Sequence, residues 1–212
     1  IKSSFLLCYL QRASPMEQTE KLRIGLCGIG LEAYWDQFKA LKTRLEGHLQ
    51  EVVTRLTRPE IHLIEMGLID TPVSALKAGH QFRSADIDLL FMYVTTYAVS
   101  SVVLPIVQRA GVPVILLNLQ PDTAIDYAAF NKLKDRTAMT ESWLEYCSAC
   151  PVPEIANVMQ RARIPFHQVT GTLKDDRTWS EIQEWIAAAA VKAVLASNRL
   201  GLLGHYYSGM LD

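Results

Sequence analysis

Cys147 and Cys150 form a Cys-x-x-Cys motif directly before a predicted helix, where two thiols could support redox or metal chemistry. A helix N-terminus lowers the pKa of a nearby thiol, and the thiolate is the form that reacts or binds metal. A thioredoxin-type motif, however, follows the first strand of its unit, whereas this one falls between the predicted fourth and fifth strands. A zinc site needs two further Cys or His ligands, and the sequence has no second pair. The motif therefore favours small buried thiols over a redox or metal role.

A glycine-rich segment at 28–33 reads GIGLEA and fits the G-x-G-x-x-A pattern of dinucleotide-binding folds. In those folds an acidic residue follows about 20 residues later, at the end of the second strand. Here Glu65 comes 35 residues after Gly30 and lies in the middle of its predicted strand. Tyr34 and Trp35 are also too bulky to lie against a pyrophosphate. We therefore interpret the glycines as closing a tight strand-to-helix turn.

The histidines and the common nucleophile motifs do not assemble a catalytic set. Five histidines stand at scattered positions, namely His48, His62, His80, His167 and His205. None forms a His-x-x-x-His pair, and each fits a surface or hydrogen-bonded position better than a metal-ligand position. The sequence has no G-x-S-x-G nucleophile elbow and no Walker loop. The residues alone thus predict no catalytic group and no metal ligand in this chain.

The elements that would position these groups alternate between short apolar runs and longer amphipathic stretches. Predicted strands span residues 22–27, 61–66, 87–94, 112–119 and 166–170. Predicted helices span residues 34–57, 98–110 and 153–163, and two more begin at Thr71-Pro72 and at a Thr178-x-x-Glu181 capping box. The last of these should bury Trp179, Ile182, Ile186, Ala189 or Ala190, and Val194. This alternation predicts an α/β fold: a doubly wound, parallel five-stranded sheet of flavodoxin-like order 2-1-3-4-5 in a three-layer αβα arrangement.

The predicted sheet also indicates where a ligand should bind. In such sheets ligands lie beyond the carboxyl ends of the strands, where the strand order reverses. That crevice would be lined by residues 28–34 and 95–97, with Asn118 and Gln120 from the neighbouring fourth strand. We therefore expect the functional site at this edge.

The composition excludes several classes of protein. Half of the 212 residues are hydrophobic and a fifth are charged, which favours a packed core over disorder. Lys+Arg number 21 and Asp+Glu number 22, and the net charge of -1 gives no reason to expect a nucleic-acid partner. The apolar run at 5–7 is too short for a signal-peptide core or a membrane span. Four cysteines are too few for a disulfide scaffold, so we expect a reduced, cytoplasmic setting.

Four segments become informative when they are considered together. Residues 31–38 read LEAYWDQF, residues 93–97 read YVTTY, VTG at 169–171 precedes an Asp-rich turn and the helix with Trp179, and residues 204–212 read GHYYSGMLD. In this order and spacing, they resemble the N-terminal domain of the L-arabinose isomerase and L-fucose isomerase-like family. The resemblance covers most of residues 21–212.

The resemblance implies part of a cytoplasmic enzyme of carbohydrate metabolism that converts an aldose into a ketose by moving a proton between C1 and C2. In that family a divalent metal, usually Mn²⁺, polarises the sugar oxygens, and glutamates act as acid and base. The metal-binding and catalytic residues lie in later domains, so we expect them beyond residue 212. The implied partners are a sugar (an aldopentose or deoxyhexose) and further copies of the chain in a trimer or hexamer. By itself this chain should bind no metal and should be inactive.

The resemblance also implies which residues line the substrate site. By position these are Leu31 and Tyr34 after the first strand, Tyr97 after the third strand, and Met210 in the terminal loop. Arabinose isomerases carry a glutamine and a histidine before the following helix, whereas this chain has the 147–150 cysteine motif there. This departure leaves the identity of the sugar open.

These expectations divide the chain into three parts. Residues 1–15 precede Met16, the expected natural start, and would be a non-native or upstream segment. Residues 16–198 would form the N-terminal flavodoxin-like domain, and residues 199–212 would begin a truncated second domain. The alternative is a stand-alone flavodoxin-like module that binds a sugar or a partner without catalysis.

Overall fold

Five parallel strands pair side by side in a computed structural model that describes residues 21–199. The strands are β1 (Leu22–Ile29), β2 (Ile61–Ile69), β3 (Leu89–Val94), β4 (Val114–Gln120) and β5 (Phe166–Thr172). Their order in the sheet is β2-β1-β3-β4-β5, and each neighbouring pair is parallel. This confirms the predicted doubly wound, flavodoxin-like sheet.

Helices cover both faces of the sheet and complete three layers. They are α1 (Lys39–Leu56), α2 (Pro72–Ser84), α3 (Ser100–Ala110), α4 (Tyr127–Phe130), α5 (Arg136–Leu144), α6 (Val152–Arg161) and α7 (Asp176–Ser197). On one face α1 and α7 pack against strand residues that include Leu26, Phe91, Leu117 and Val169. On the other face α2, α3 and α6 pack against Cys27, Met92, Val94 and Leu116. Because both faces are covered, all six residues of β3 are buried, as its unbroken apolar run predicts.

Two helix ends follow their sequence signals closely. At the start of α2, the Thr71 hydroxyl accepts a hydrogen bond from the backbone N–H of Ser74 at 3.1 Å, and Pro72 takes the first helical position. At the end of α3, Gly111 adopts a left-handed conformation with φ of 66°, which glycine adopts without steric cost. The bounds of the other elements differ from the prediction by a few residues.

The first helix and the second strand show the largest of these differences, and the first strand differs in the same direction as the second. β1 continues to Ile29 and β2 to Ile69, so both strands are longer than their apolar runs indicate. The predicted helix 34–57 begins only at Lys39, because Glu32–Tyr34 forms a separate 3₁₀ turn.

The predicted capping box of the last helix is wrong. Asp175 is the N-cap, and its carboxylate accepts hydrogen bonds from the backbone N–H groups of Arg177 at 3.1 Å and Thr178 at 3.3 Å. Thr178 lies inside the first turn, where its hydroxyl donates to Asp175 at 2.7 Å. The predicted apolar stripe holds as far as Ala189, but Val194 is 59% exposed.

Sequence reasoning missed the segment between β4 and α6, which folds into α4, α5 and a 3₁₀ turn at Cys147–Ala149. Asp126 and Asp135 are the N-caps of the two short helices, accepting from the backbone N–H groups of Ala129 at 2.9 Å and Ala138 at 2.8 Å.

Among residues 21–199, no helix is long and apolar enough to cross a membrane. The predictions for residues 1–15, for the start of a second domain after residue 199 and for Met210 lie outside the described residues.

Candidate functional site

The crevice predicted beyond the carboxyl ends of the strands is covered by the chain itself. The hydroxyl of Thr96, directly after β3, donates to the backbone carbonyl of Leu144 at 2.7 Å. The side-chain amide of Gln120, at the end of β4, donates to the hydroxyl of Ser148 at 2.8 Å. Thr96 and Ser148 are both buried. The end of α5 and the following turn thus form a cover over the strand ends, and a ligand must approach from its rim.

Hydrogen bonds and charge hold this cover onto α1. The carboxylate of Glu141 accepts from the backbone N–H of Ala40 at 2.8 Å, at the start of α1. The Glu145 carboxylate contacts Nε2 of His48 at 2.8 Å and accepts from Nε of Arg44 at 2.9 Å. Burial alone would raise the pKa of Glu145, but the hydrogen bond from His48 and the charge of Arg44 hold it below its ordinary value. Glu145 is therefore a carboxylate at neutral pH and anchors the cover.

A small apolar cluster lies beneath the same contact. Its buried members are Leu41, Leu45, Leu144 and Cys147, and the half-buried side chains of Tyr34, Trp35 and Phe38 pack against them. The ring of Tyr34 meets that of Phe38 edge to face, with centroids 6.0 Å apart. The cluster therefore joins the β1–α1 connection to the cover.

The structure brings two of the predicted substrate-lining residues to one rim. The pKa of the Tyr34 phenol is raised, first by burial and then by the nearby Cys147, Tyr97 and Cys150 side chains. Tyr97 is 39% exposed, and Tyr34 is half-buried. Leu31 is attached to this rim through its backbone carbonyl, which accepts from the N–H of Tyr34 at 3.1 Å. Met210 is outside the described residues.

At the ends of β4 and β5, three side-chain oxygen atoms lack hydrogen-bond partners. Asn118 Oδ1, Gln120 Oε1 and Thr172 Oγ1 are buried and make no hydrogen bond. Gln120 pairs in register with Thr172, and Asn118 lies two residues earlier on the same face of β4. The amide of Asn118 donates to Thr170 Oγ1 at 3.4 Å, while its oxygen has no donor. Buried polar atoms of this kind are uncommon and indicate a place for a ligand or water.

The glycines at the end of β1 allow an indole ring to lie across the strand. A Cβ at Gly30 would stand 3.2 Å from the ring of Trp35. The indole Nε1 of Trp35 donates to Asp70 at 2.8 Å, and Lys42 lies 3.4 Å from the same carboxylate. The contacts therefore support the interpretation of Gly30 as part of a close-packed turn, whereas Gly28 lies inside β1.

A second candidate is a shallow surface cleft of about 560 Å³ beside β5 and α7. His167 packs over Trp185 with ring centroids 4.5 Å apart, and its Nε2 lies 3.0 Å from Glu181. Arg177 and Glu184 line the same cleft. The sequence did not indicate this pairing of His167 with Glu181, because His167 is on a strand and its partner is on the next helix.

Within residues 21–199 the structure forms no group of three or more His, Cys, Asp or Glu side chains that could hold a metal ion. The manganese that the family resemblance implies therefore has no fitting ligand set among these residues.

Comparisons with known proteins add little to this geometry. No protein-family model and no curated protein matches the chain. A crystal structure of a "putative acylhydrolase" from Bacteroides fragilis NCTC 9343 has 15% identity and a TM-score of 0.37, covering 91% of this chain and 98% of that one. A "putative transcriptional regulator" from Clostridium difficile 630 has 8% identity and a TM-score of 0.23, covering 85% and 59%. Such low TM-scores carry no argument about function.

Proposed function

We propose that this chain is the N-terminal, substrate-lining domain of an aldose–ketose isomerase of the L-arabinose isomerase and L-fucose isomerase type. The proposal rests on the ordered family-like segments and on the rim at the carboxyl edge of the sheet. Tyr34 and Tyr97 belong to this edge, and the side-chain oxygens of Asn118 and Gln120 near the end of β4 are buried without a hydrogen-bond partner. The proposal depends on this combination of tyrosines and unpaired side-chain oxygens, because aromatic faces and uncharged hydrogen-bonding groups suit a neutral, hydroxyl-rich ligand.

In this proposal the domain binds and orients the sugar, and other parts of the enzyme move the proton between C1 and C2. The side-chain oxygens of Asn118 and Gln120 are buried without a hydrogen-bond partner. Hydrogen bonds from sugar hydroxyls to these oxygens would remove the energetic cost of leaving them unpaired. The two tyrosines would provide ring surface and phenol hydroxyls at the entrance. When bound elsewhere in the enzyme, Mn²⁺ would polarise the sugar oxygens.

The proposed setting of the enzyme follows the same resemblance. The sugar would be an aldopentose or deoxyhexose, and the enzyme would be a cytoplasmic trimer or hexamer in which this domain contacts the substrate of a neighbouring subunit. We expect the chain alone to bind sugar weakly, because the rest of the site is supplied by other domains.

Saturation-transfer NMR of the chain with L-arabinose and with L-fucose tests the proposal. We expect saturable transfer to one of these sugars, and a loss of at least about half of it in Tyr97→Ala, because one face of the site is removed. Tyr127→Ala is the matched control, since Tyr127 is an exposed tyrosine on α4. Absence of saturable transfer to either sugar contradicts the proposal.

Two activity outcomes complete the test. With added Mn²⁺ the chain should convert neither sugar, and measurable ketose formation would contradict the assignment of catalysis to other domains. Sugar binding by a protein that remains inactive when expressed from the whole natural reading frame would favour the stand-alone sugar-binding module.

A further inference from the structure

Cys147 and Cys150 are placed as an asymmetric pair on the cover. Cys147 is buried, and its thiol donates to the backbone carbonyl of Trp143 at 3.4 Å. Cys150 is exposed. One thiol can therefore meet a soluble reagent while the other is protected behind it.

The backbone between the two residues brings their side chains together. Residues Cys147–Ala149 form a 3₁₀ turn, and the N–H of Cys150 donates to the carbonyl of Cys147 at 3.2 Å. In a 3₁₀ turn the side chains at positions i and i+3 eclipse, and three residues rise about 6 Å. Disulfides join Cα atoms about 4.4–6.8 Å apart, so the turn matches that requirement without a large backbone movement.

The surroundings of the two cysteines are consistent with their side chains lying close together. Burial raises the pKa of Cys147 to about 12, and the neighbouring Cys150 thiol acts in the same direction. Cys147 is thus held as the thiol, and Cys150 is the exposed partner that can meet a reagent first. The third described cysteine, Cys27, is fully buried in β1, where burial likewise raises its pKa to about 12.

We propose that Cys147 and Cys150 are a reversible thiol–disulfide site that reacts with low-molecular-weight disulfides. The Cys150 thiolate attacks one sulfur of glutathione disulfide, so that a mixed disulfide forms and one glutathione thiolate leaves. Cys147 then gives its proton to solvent and attacks the Cys150 sulfur, which releases the second glutathione. Two cysteine thiols are oxidised to one disulfide, and their two electrons reduce glutathione disulfide to two glutathione molecules.

The location gives this chemistry a structural consequence. Cys147 belongs to the apolar cluster that includes Leu144 and Tyr34, and the adjacent Ser148 accepts a hydrogen bond from Gln120. Forming the disulfide removes the S–H proton of Cys147 and with it the hydrogen bond to the carbonyl of Trp143. Oxidation therefore acts on the contact between the cover and the strand ends. The proposal does not depend on which ligand binds there.

The test uses the full chain in a Cys8→Ser background, which leaves three thiols. The protein is equilibrated in mixtures of reduced and oxidised glutathione over several decades of their ratio, quenched in acid, alkylated with N-ethylmaleimide and mapped by peptide mass spectrometry. As the mixture becomes more oxidising, we expect Cys147 and Cys150 to become resistant to alkylation together and to appear as one disulfide-linked peptide. Cys27 should still be alkylated once the protein is unfolded. In the reduced protein, Cys150 should react roughly tenfold or more faster than Cys147.

Single variants separate the two steps of the exchange. Cys147→Ala should trap one glutathione on Cys150, because the resolving thiol is missing. Cys150→Ser should carry no glutathione on Cys147, and circular dichroism checks that each variant is folded. Should Cys147→Ala fail to fold, Cys147→Ser serves instead, because its hydroxyl can still donate to Trp143.

Three outcomes overturn the proposal. The first is that both cysteines remain alkylatable in strongly oxidising mixtures. The second is that the wild-type protein accumulates the mixed disulfide on Cys150 without resolving it. The third is that Cys150 forms a disulfide between two chains. Sugar binding is measured separately by NMR, so a failure of this proposal and a failure of the proposed function are distinguishable.

Discussion

Nε2 of His48 lies 2.8 Å from Oε1 of Glu145, across 97 residues of sequence. This pair and Arg44, which also contacts Glu145, join α1 to the cover at the end of α5. The Glu145 side chain is only 17% exposed, so its charge depends on these two partners. The pair is therefore one of the contacts that hold the cover over the strand ends.

Glu145→Gln should destabilise the fold, because it removes the charge that faces Arg44 and His48 within a partly buried contact. Loss of such a partner costs about 1–3 kcal/mol. Urea unfolding measures the change in free energy, and Glu60→Gln, at an exposed glutamate, is the control. Equal midpoints for the two variants would show that the contact contributes nothing.

The same carboxylate should make stability depend on pH. The pKa of Glu145 is lowered in the folded protein, so the folded state binds fewer protons than the unfolded state as the pH falls. Its contribution is present above the unfolded pKa of about 4.3 and is lost as the pH falls through the lower, folded value. Urea midpoints between about pH 6 and pH 3 should fall more steeply for wild type than for Glu145→Gln. Parallel pH profiles would contradict this.

Sequence reasoning succeeded where a local pattern determines structure. The apolar run of β3 and the glycine at position 111 predicted a buried parallel strand and a helix end, and both are present. It failed for α5, a nine-residue helix with Leu144 as its only buried residue, because one apolar side chain gives no periodicity.

The candidate site was predictable only in part. Topology alone placed Tyr34 and Tyr97 at one edge of the sheet, since carboxyl ends of parallel strands meet there. The cover over that edge is held by contacts such as that of Glu145 with His48, and no local pattern connects residues so far apart. The predicted open crevice therefore became a covered one with a rim.

Two glycine substitutions should change stability in opposite directions. A Cβ at Gly171 would stand 1.9 Å from Oγ1 of Thr178, so Gly171→Ala must displace the first turn of α7. Overpacking of this kind costs about 1–3 kcal/mol. Gly47 lies on α1 with no other atom within 4 Å of an added Cβ, so Gly47→Ala should stabilise the fold by about 0.5–1 kcal/mol.

Thermal unfolding compares the two glycine variants, and a second substitution tests the mechanism. In the Gly171→Ala background, Thr178→Ala removes the clashing hydroxyl and should recover part of the loss. If Thr178→Ala recovers none of the stability lost in Gly171→Ala, the strain lies elsewhere.

Asp175→Ala should lower the urea midpoint, because the carboxylate of Asp175 caps the first turn of α7. Asp175→Asn should retain much of the cap, since an amide oxygen also accepts from backbone N–H groups. Glu181→Ala is the informative comparison: it should leave the cap intact, whereas a Thr178 capping box would require Glu181. Because Glu181 also contacts His167, the comparison is repeated in a His167→Ala background, where a larger loss from Glu181→Ala than from Asp175→Ala would support the capping box.

Asn118→Leu should separate a ligand-binding role from a structural one. The side-chain oxygen of Asn118 is buried without a partner, and its amide makes one long hydrogen bond of 3.4 Å. Replacing such a group by an apolar side chain of similar size is nearly neutral or stabilising, so the free energy of unfolding should change by less than about 1 kcal/mol. Sugar binding measured by saturation transfer should nevertheless fall, whereas Asn157→Leu, at an exposed position on α6, should leave it unchanged. A strong loss of stability with unchanged sugar binding would make Asn118 a structural residue, because its oxygen would then have a partner within the fold.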